Sequence, residues 1–333
     1  TASSPSVLGN NKLTWETSEQ LDFGIDLRFL ADRLGFTMDY YHKTTKDLIT
    51  TNTPPLEAGN SASPINGGNV VNKGFDFELT WRDHIGDFKY SIAANLSTLK
   101  NEVTYLDPTI SRLNGASVNK WSSATAFEKG LPVWYFRGYK TDGIDPATGN
   151  VNFVDVNGDG TVNANDFTYI GSAIPDITYG ATLNMEYKGF DFTMFIQGQA
   201  GNDILMGIIR TDRPATNKLS LFYTDRWTPE NPNASRPSAT VDAKYWNSDQ
   251  MLFNGSFMKI KQIQLGYSLP ALVTNKLHIG HTRIYASLDD FFTFTNYPGM
   301  DPEASSSDNN SIGIDRGFFP ISKKVLFGLS LNF

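Results

Sequence analysis

The chain of 333 residues has a formal net charge of −7, no cysteine, and 13% aromatic residues, among them 14 Tyr and 23 Phe. The acidic balance argues against nucleic acid or an anionic surface as partner, and the absence of cysteine excludes disulfides and thiolate metal sites. No apolar run reaches the ~18 residues of a spanning helix, so membrane passage would have to use strands, whose lumen-facing residues keep the average polar.

Residues 1–14 read as loop, and no initiator Met or signal peptide precedes Thr1, so a mature chain or a fragment is expected. Amphipathic segments then follow in pairs. Leu21, Phe23, Ile25, Leu27 and Phe29 alternate with polar or small residues, and a tight turn at Ala31-Asp32-Arg33 leads to Phe36, Met38 and Tyr40. After a Pro/Gly/Asn/Ser-rich loop over 51–69 come Phe75, Phe77, Leu79 and Trp81, a turn near His84-Ile85-Gly86, then Phe88, Tyr90, Ile92, Ala94 and Leu96. A third pair joins Tyr179, Ala181, Leu183, Met185 and Tyr187 through Lys188-Gly189 to Phe190, Phe192, Met194 and Ile196. A fourth runs from Ile263, Leu265 and Tyr267 through Leu269-Pro270 and a short helical connector to Ile284, Ala286 and Leu288. The chain closes on Val325, Phe327, Leu329, Leu331 and Phe333, interleaved with Lys324, Leu326, Gly328, Ser330 and Asn332.

The side-chain period of a strand is two, so each segment presents one apolar face. A soluble edge strand with bare aromatics invites aggregation, whereas a strand between lipid and a polar lumen needs this pattern. The segments also reach the ~9–11 residues a tilted strand needs to cross a bilayer. Short connections alternate with long ones near 100–175, 201–255 and 295–321, as in barrels with short periplasmic turns and long external loops. The expected fold is an all-β, transmembrane antiparallel β-barrel. With 133–156 taken as a hairpin inside a loop, about nine or ten strands span, and first and last both run toward the periplasm. Direct closure would pair them in parallel, so residues 1–333 are expected to form part of a larger barrel, with an insertion at about 133–175.

Lys73-Gly74-Phe75-Asp76-Phe77 recurs as Lys188-Gly189-Phe190-Asp191-Phe192. It reads as convergent strand entry, a turn-forming Gly followed by two aromatics on one face. One motif carries chemistry. Asp155, Asn157 and Asp159 stand at the first, third and fifth positions of a D-x-[DN]-x-[DN]-G loop, with Gly160 at the bend, the Thr161 carbonyl next, and Asn163 placed to hold a water. Asp166 closes the loop where Glu is usual. These residues are expected to hold one structural Ca²⁺, because carboxylates crowded into one turn repel unless a cation joins them; the alternative is an Asn/Gly-rich turn that binds nothing. No catalytic motif is present, and His42, His84, His278 and His281 are scattered, so no enzyme is expected. Trp121, Trp134, Tyr135, Phe136, Trp227, Tyr245 and Trp246 could stack on sugars or anchor a partner, but packing of loop against loop is the more common role of such rings.

Several strings together resemble SusC/RagA-type TonB-dependent outer-membrane transporters of Bacteroidetes, in the C-terminal part of their barrel. They are Asp155-x-Asn157-Gly158-Asp159-Gly160, then Gly171, Pro175, Tyr179-Gly180 and the 187–192 run; Leu13 to Trp15 with Asp39-Tyr40-Tyr41 and Lys46-Asp47-Leu48; Leu265 to Pro270; and Phe292 to Thr295 before Pro298-Gly299 and Asp301-Pro302-Glu303. Phe333 resembles the terminal signal such barrels present to the insertion machinery. The resemblance implies a barrel of about 22 strands that imports oligosaccharides or peptides with energy from TonB, capped by a SusD-like surface lipoprotein. It also implies that the N-terminal plug domain and early strands are absent from this chain, and that the remainder of the transporter, and outer-membrane lipid, are its immediate neighbours. A self-contained porin or adhesin, and a secreted glycan-binding β-sandwich, remain as alternatives.

Overall fold

The computed structural model describes residues 9–52, 61, 63–209, 217–239, 242–276, 278–303, 306 and 308–332. Nine strands form a continuous antiparallel wall: β1 (Thr17–Phe29), β2 (Leu34–Asn52), β3 (Ser63–Ile85), β4 (Phe88–Thr98), β5 (Ile177–Tyr187), β6 (Phe190–Ala200), β7 (Phe257–Ser268), β8 (Thr282–Thr295) and β9 (Lys324–Leu331). Each pairs with the next in sequence order, and a tenth strand, Lys100–Leu106, adds to the upper part of β3. All the expected pairs are present. Phe333 lies outside the described residues.

Register puts the predicted apolar residues on one face. Phe23 is opposite Tyr40, Tyr40 opposite Phe75, Leu79 opposite Ala94, Ala94 opposite Ala181, Leu183 opposite Met194, Met194 opposite Ile263, Ile263 opposite Leu288, and Leu288 opposite Val325. This face is bare. Phe23 is 63% exposed and Phe327 83%. So extensive an apolar surface is stable only against lipid. At the short-turn rim Phe88 meets Tyr187 at 6.4 Å and Phe190 meets Tyr267 at 4.5 Å, a belt suited to the membrane interface. The connector between β7 and β8 contains the expected helix, Ala271–Lys276.

The apolar core sits outside the wall, beyond its long-loop end. Trp121, Phe136, Ile204, Leu205, Met251 and Ile314, drawn from all three long connections, are buried together. Asp203–Met206 pairs antiparallel with Leu252–Asn254 and parallel with Ile314–Asp315, tying the second and third connections into one sheet. The first joins them where Thr141 donates through N and Oγ1 to the Asp249 carboxylate at 3.0 and 2.6 Å. Trp121, Tyr135, Phe136 and Tyr245 are each about fully buried, so loop packing is what these aromatics do.

Three expectations need correction. Residues 133–156 are not one hairpin: Thr141–Ile144 pairs with Val151–Phe153, but Tyr135–Gly138 pairs with Thr125–Phe127 and Thr168–Gly171 instead. The 51–69 loop is shorter than read, because β2 and β3 stay paired up to Asn52 opposite Ser63; residues 53–60 and 62 lie outside the described set. The repeated pentapeptide serves two purposes. Gly189, at φ 88°, makes the β5–β6 turn, whereas Gly74 is inside β3, where a Cβ would lie 1.9 Å from the Thr98 carbonyl oxygen. The first copy is therefore a close approach of backbones at the split between β4 and Lys100–Leu106, not a strand entry.

Candidate functional site

The inner face of the wall is polar. Asp22, Asp39, Tyr41, Lys43 and Asp76 line one hollow of the lumen, with Ser97 and Thr178 beside them. Nearer the short turns, Arg283 of β8 reaches across β7 to Asp191 of β6, its Nε donating at 2.9 Å and its Nη2 to the second carboxylate oxygen. A bidentate pair of this kind fixes three neighbouring strands on the water-filled side.

At the long-loop mouth the lumen wall meets the third connection. Lys259 Nζ donates to Asp301 Oδ1 at 2.7 Å and to Glu303 Oε2 at 2.5 Å, while Lys261 Nζ bridges Asp290 at 2.8 Å and Glu303 at 3.2 Å. The Asp301 Oδ2 oxygen accepts the Ile321 amide at 3.0 Å. The Lys259 side chain is only 3% exposed and that of Asp301 7%. Burial alone would raise the Asp301 carboxyl, but Lys259 and the amides of Glu303 and Ile321 outweigh it and hold the group below the ordinary carboxylate range. In the sequence, Asp301-Pro302-Glu303 carries only a family resemblance. The available signal was Lys259-x-Lys261 in a strand, two long cations that need buried or aqueous partners.

The acidic loop comes together, in its own way. Asp155 accepts the Gly158 amide at 2.8 Å through Oδ1 and the Gly160 amide at 2.7 Å through Oδ2. Asp159 Oδ1 accepts the Thr161 amide at 2.8 Å, and Asn157 Nδ2 donates to its other oxygen at 3.1 Å. The Thr161 carbonyl accepts Asn163 Nδ2 at 3.0 Å. Asp166 is fully enclosed. One oxygen accepts the Val156 and Asn157 amides at 2.9 and 3.2 Å, the other the Asn163 amide at 2.8 Å, completing a capping box on the 3₁₀ turn Ala164–Asp166. The Asn163 amide, the largest influence, and the other amides keep its carboxyl below the usual range. Asn163, assigned a water in the sequence reading, is the N-cap of this turn. Among the described residues no three acidic, His or Cys side chains converge as a ready metal cluster. The donors fit calcium in kind, being hard oxygens, and carboxylate oxygens that accept one amide retain a lone pair.

The family model for the TonB dependent receptor-like β-barrel matches residues 2–188. The chain is 31% identical to TonB-dependent receptor P3 of Formosa agariphila and 27% identical to the TonB-dependent receptor SusC of Bacteroides thetaiotaomicron, in each case over 97% of its own length. It covers 35% and 32% of those proteins, and so spans about a third of the length of the curated relatives it matches. Among solved structures, the RagAB peptide transporter superposes with a TM-score of 0.80 at 26% identity, over 98% of this chain and 36% of that one. The RagAB peptide importer in its open-open state gives 0.83, with the same identity and coverage.

Proposed function

The chain belongs to the TonB-dependent receptor-like β-barrel family of the outer membrane, and from that premise we propose that it works as part of an active nutrient importer. The observation that carries this reading is the wall itself: an apolar face for lipid, a polar face for a lumen, and a packed crown over one end. The relatives named above are receptors and transporters, and the scattered histidines offer no catalytic arrangement. The imported molecules are oligosaccharides or peptides, the latter suggested by the RagAB likeness. The crown is the external surface that a SusD-like lipoprotein lid covers. Energy comes from TonB through a plug supplied by the remainder of the transporter.

A self-contained porin or adhesin fits less well. β1 and β9 both run from the crown to the short turns, so pairing them directly would set them parallel, and an antiparallel barrel needs further strands between them. A secreted sandwich would bury its apolar face against a second sheet, and here that face is exposed. The reading is tested by orientation and by uptake. Cysteines placed at Ser123, Ser235 and Ser306 should react with a membrane-impermeant maleimide on whole cells, and deleting the transporter should abolish growth on its nutrient. Labelling only after outer-membrane disruption would invert the topology and remove the lid from the crown.

We further propose that Asp155, Asn157, Asp159, the Thr161 carbonyl and Asp166 hold one structural Ca²⁺ in the crown. The support is the oxygen-rich spacing around Gly160, where Asp155 and Asp159 are gathered about the amides of one turn. Extracellular calcium modules bind at ~10⁻⁴–10⁻³ M, so millimolar Ca²⁺ should slow proteolysis near residue 160 relative to chelator. Asp159→Ala should erase that protection without lowering the amount of protein in the membrane. Equal cleavage rates with calcium and with chelator would dismiss the ion and leave Asp166 as a cap alone.

A further inference from the structure

The second long connection encloses a cavity of about 290 Å³ in the crown. Among the described residues its lining includes Lys218, Arg226 and Arg236, with the rings of Phe222, Tyr223 and Trp246, and no Asp or Glu. This concentration of positive charge sits in a protein whose net charge is −7. Among the described residues neither Arg226 nor Arg236 takes part in an ion pair. The nearest carboxylate in sequence, Asp225, is turned to Ser235, accepting from its amide at 3.2 Å and from its hydroxyl.

The two arginines have different roles. Arg236 is built in: its guanidinium lies over Phe222 at 5.5 Å and Phe253 at 5.3 Å, and donates to the Gln250 carbonyl at 3.1 Å. It is a fixed charge in the cavity lining. Among the described residues Arg226 has no such side-chain engagement, and it offers its planar fork to the cavity it lines. Tyr223, 52% exposed, and Trp246, with the Lys218 ammonium 5.7 Å from its ring centre, supply flat surfaces beside the charge.

We infer that this cavity binds a carboxylate-bearing unit of the imported oligomer, with Arg226 as the bidentate partner of the carboxylate and the rings as a platform for the unit that carries it. The inference rests on the importer reading and narrows its substrate class to acidic molecules. The volume is at the small end for ligand pockets, which suits one residue-sized unit rather than a long segment. The same chemistry is offered by a uronic acid in a glycan and by an acidic residue or C-terminus in a peptide.

The test uses the intact transporter in detergent and two matched pairs of probes, trigalacturonate against trigalactoside and triglutamate against triglutamine, followed by calorimetry and tryptophan fluorescence. In one pair the acidic member should bind about tenfold or more tightly, the order expected for one charge-assisted contact, and the advantage should shrink as NaCl rises. Arg226→Gln should remove that advantage and Arg226→Lys should keep part of it, with outer-membrane abundance unchanged in both. Which pair discriminates identifies the source as glycan or peptide. Equal binding within both pairs, or an advantage that survives Arg226→Gln, overturns the site. If that occurs while deletion of the transporter still abolishes uptake, the importer reading stands and only this site falls.

Discussion

Replacing Phe327 by Arg should all but remove the protein from the outer membrane. Phe327 is 83% exposed in the middle of β9, opposite Ala286 of β8, with Val325 and Leu329 on the same face. Val325 and Leu329 are exposed with it, and lipid is the partner that such a face suits. A cation placed near the bilayer midplane of a barrel wall costs about 2–4 kcal/mol, a large share of the ~5–15 kcal/mol by which folded proteins are held. Phe327→Leu keeps the face apolar and should assemble nearly as the parent does. Gln264→Arg, on the inner face of β7, should cost much less, because water reaches it. Heat-modifiable migration on gels, with outer-membrane yield, checks all three. Equal yields for Phe327→Arg and Gln264→Arg would contradict the assignment of the two faces.

Lys259→Met should release the third connection from the mouth of the lumen. The substitution leaves Asp301 buried without its cation and Glu303 held by Lys261 alone; breaking a buried pair from one side costs about 3–5 kcal/mol. The expected result is rapid proteolysis within residues 296–323 while the strands persist. Adding Asp301→Asn and Glu303→Gln should restore most of the protection, because no uncompensated charge remains. Acid should mimic the single variant. A carboxyl held below its ordinary value stabilises the fold at every pH above the unfolded value of ~3.9, and that contribution fades as pH falls through the lower folded value. Loosening of the loop should therefore set in below about pH 4. Protection that is flat from pH 7 down to pH 3 would mean the network carries little of the loop's stability.

The wall was legible in the sequence because it is a one-dimensional signal. Leu21 to Phe29 or Tyr179 to Tyr187 state their face by alternation, and lipid on one side with water on the other leaves that alternation nothing to compete with. The crown lacked such a signal. Tyr135–Gly138 is too short to show a period, and all four of its residues are buried, so its choice of 125–127 and 168–171 over its sequence neighbours is settled by packing. The acidic loop was found by spacing, yet the capping of Asp166 by three amides depends on a 3₁₀ turn that spacing does not reveal. The latch at the mouth was hidden for another reason. Lys259 and Asp301 are 42 residues apart, and although Lys259-x-Lys261 calls for partners, nothing in the sequence says which.

The parallel ladder of Leu205 with Ile314 constrains the order of events at birth. Segments more than a hundred residues apart must meet before the hydrophobic interior of the crown is sealed, and two wall strands, β7 and β8, are laid down between them. The wall can zip hairpin by hairpin, each step closing a short loop. The crown has no such ladder of small steps, since its closing contact is among its most distant. It therefore sets late, and until residue 314 arrives, Leu205 and Met206 remain uncovered. A nascent chain stalled before that point would present an adhesive surface to its surroundings, which gives chaperone escort during export a physical purpose.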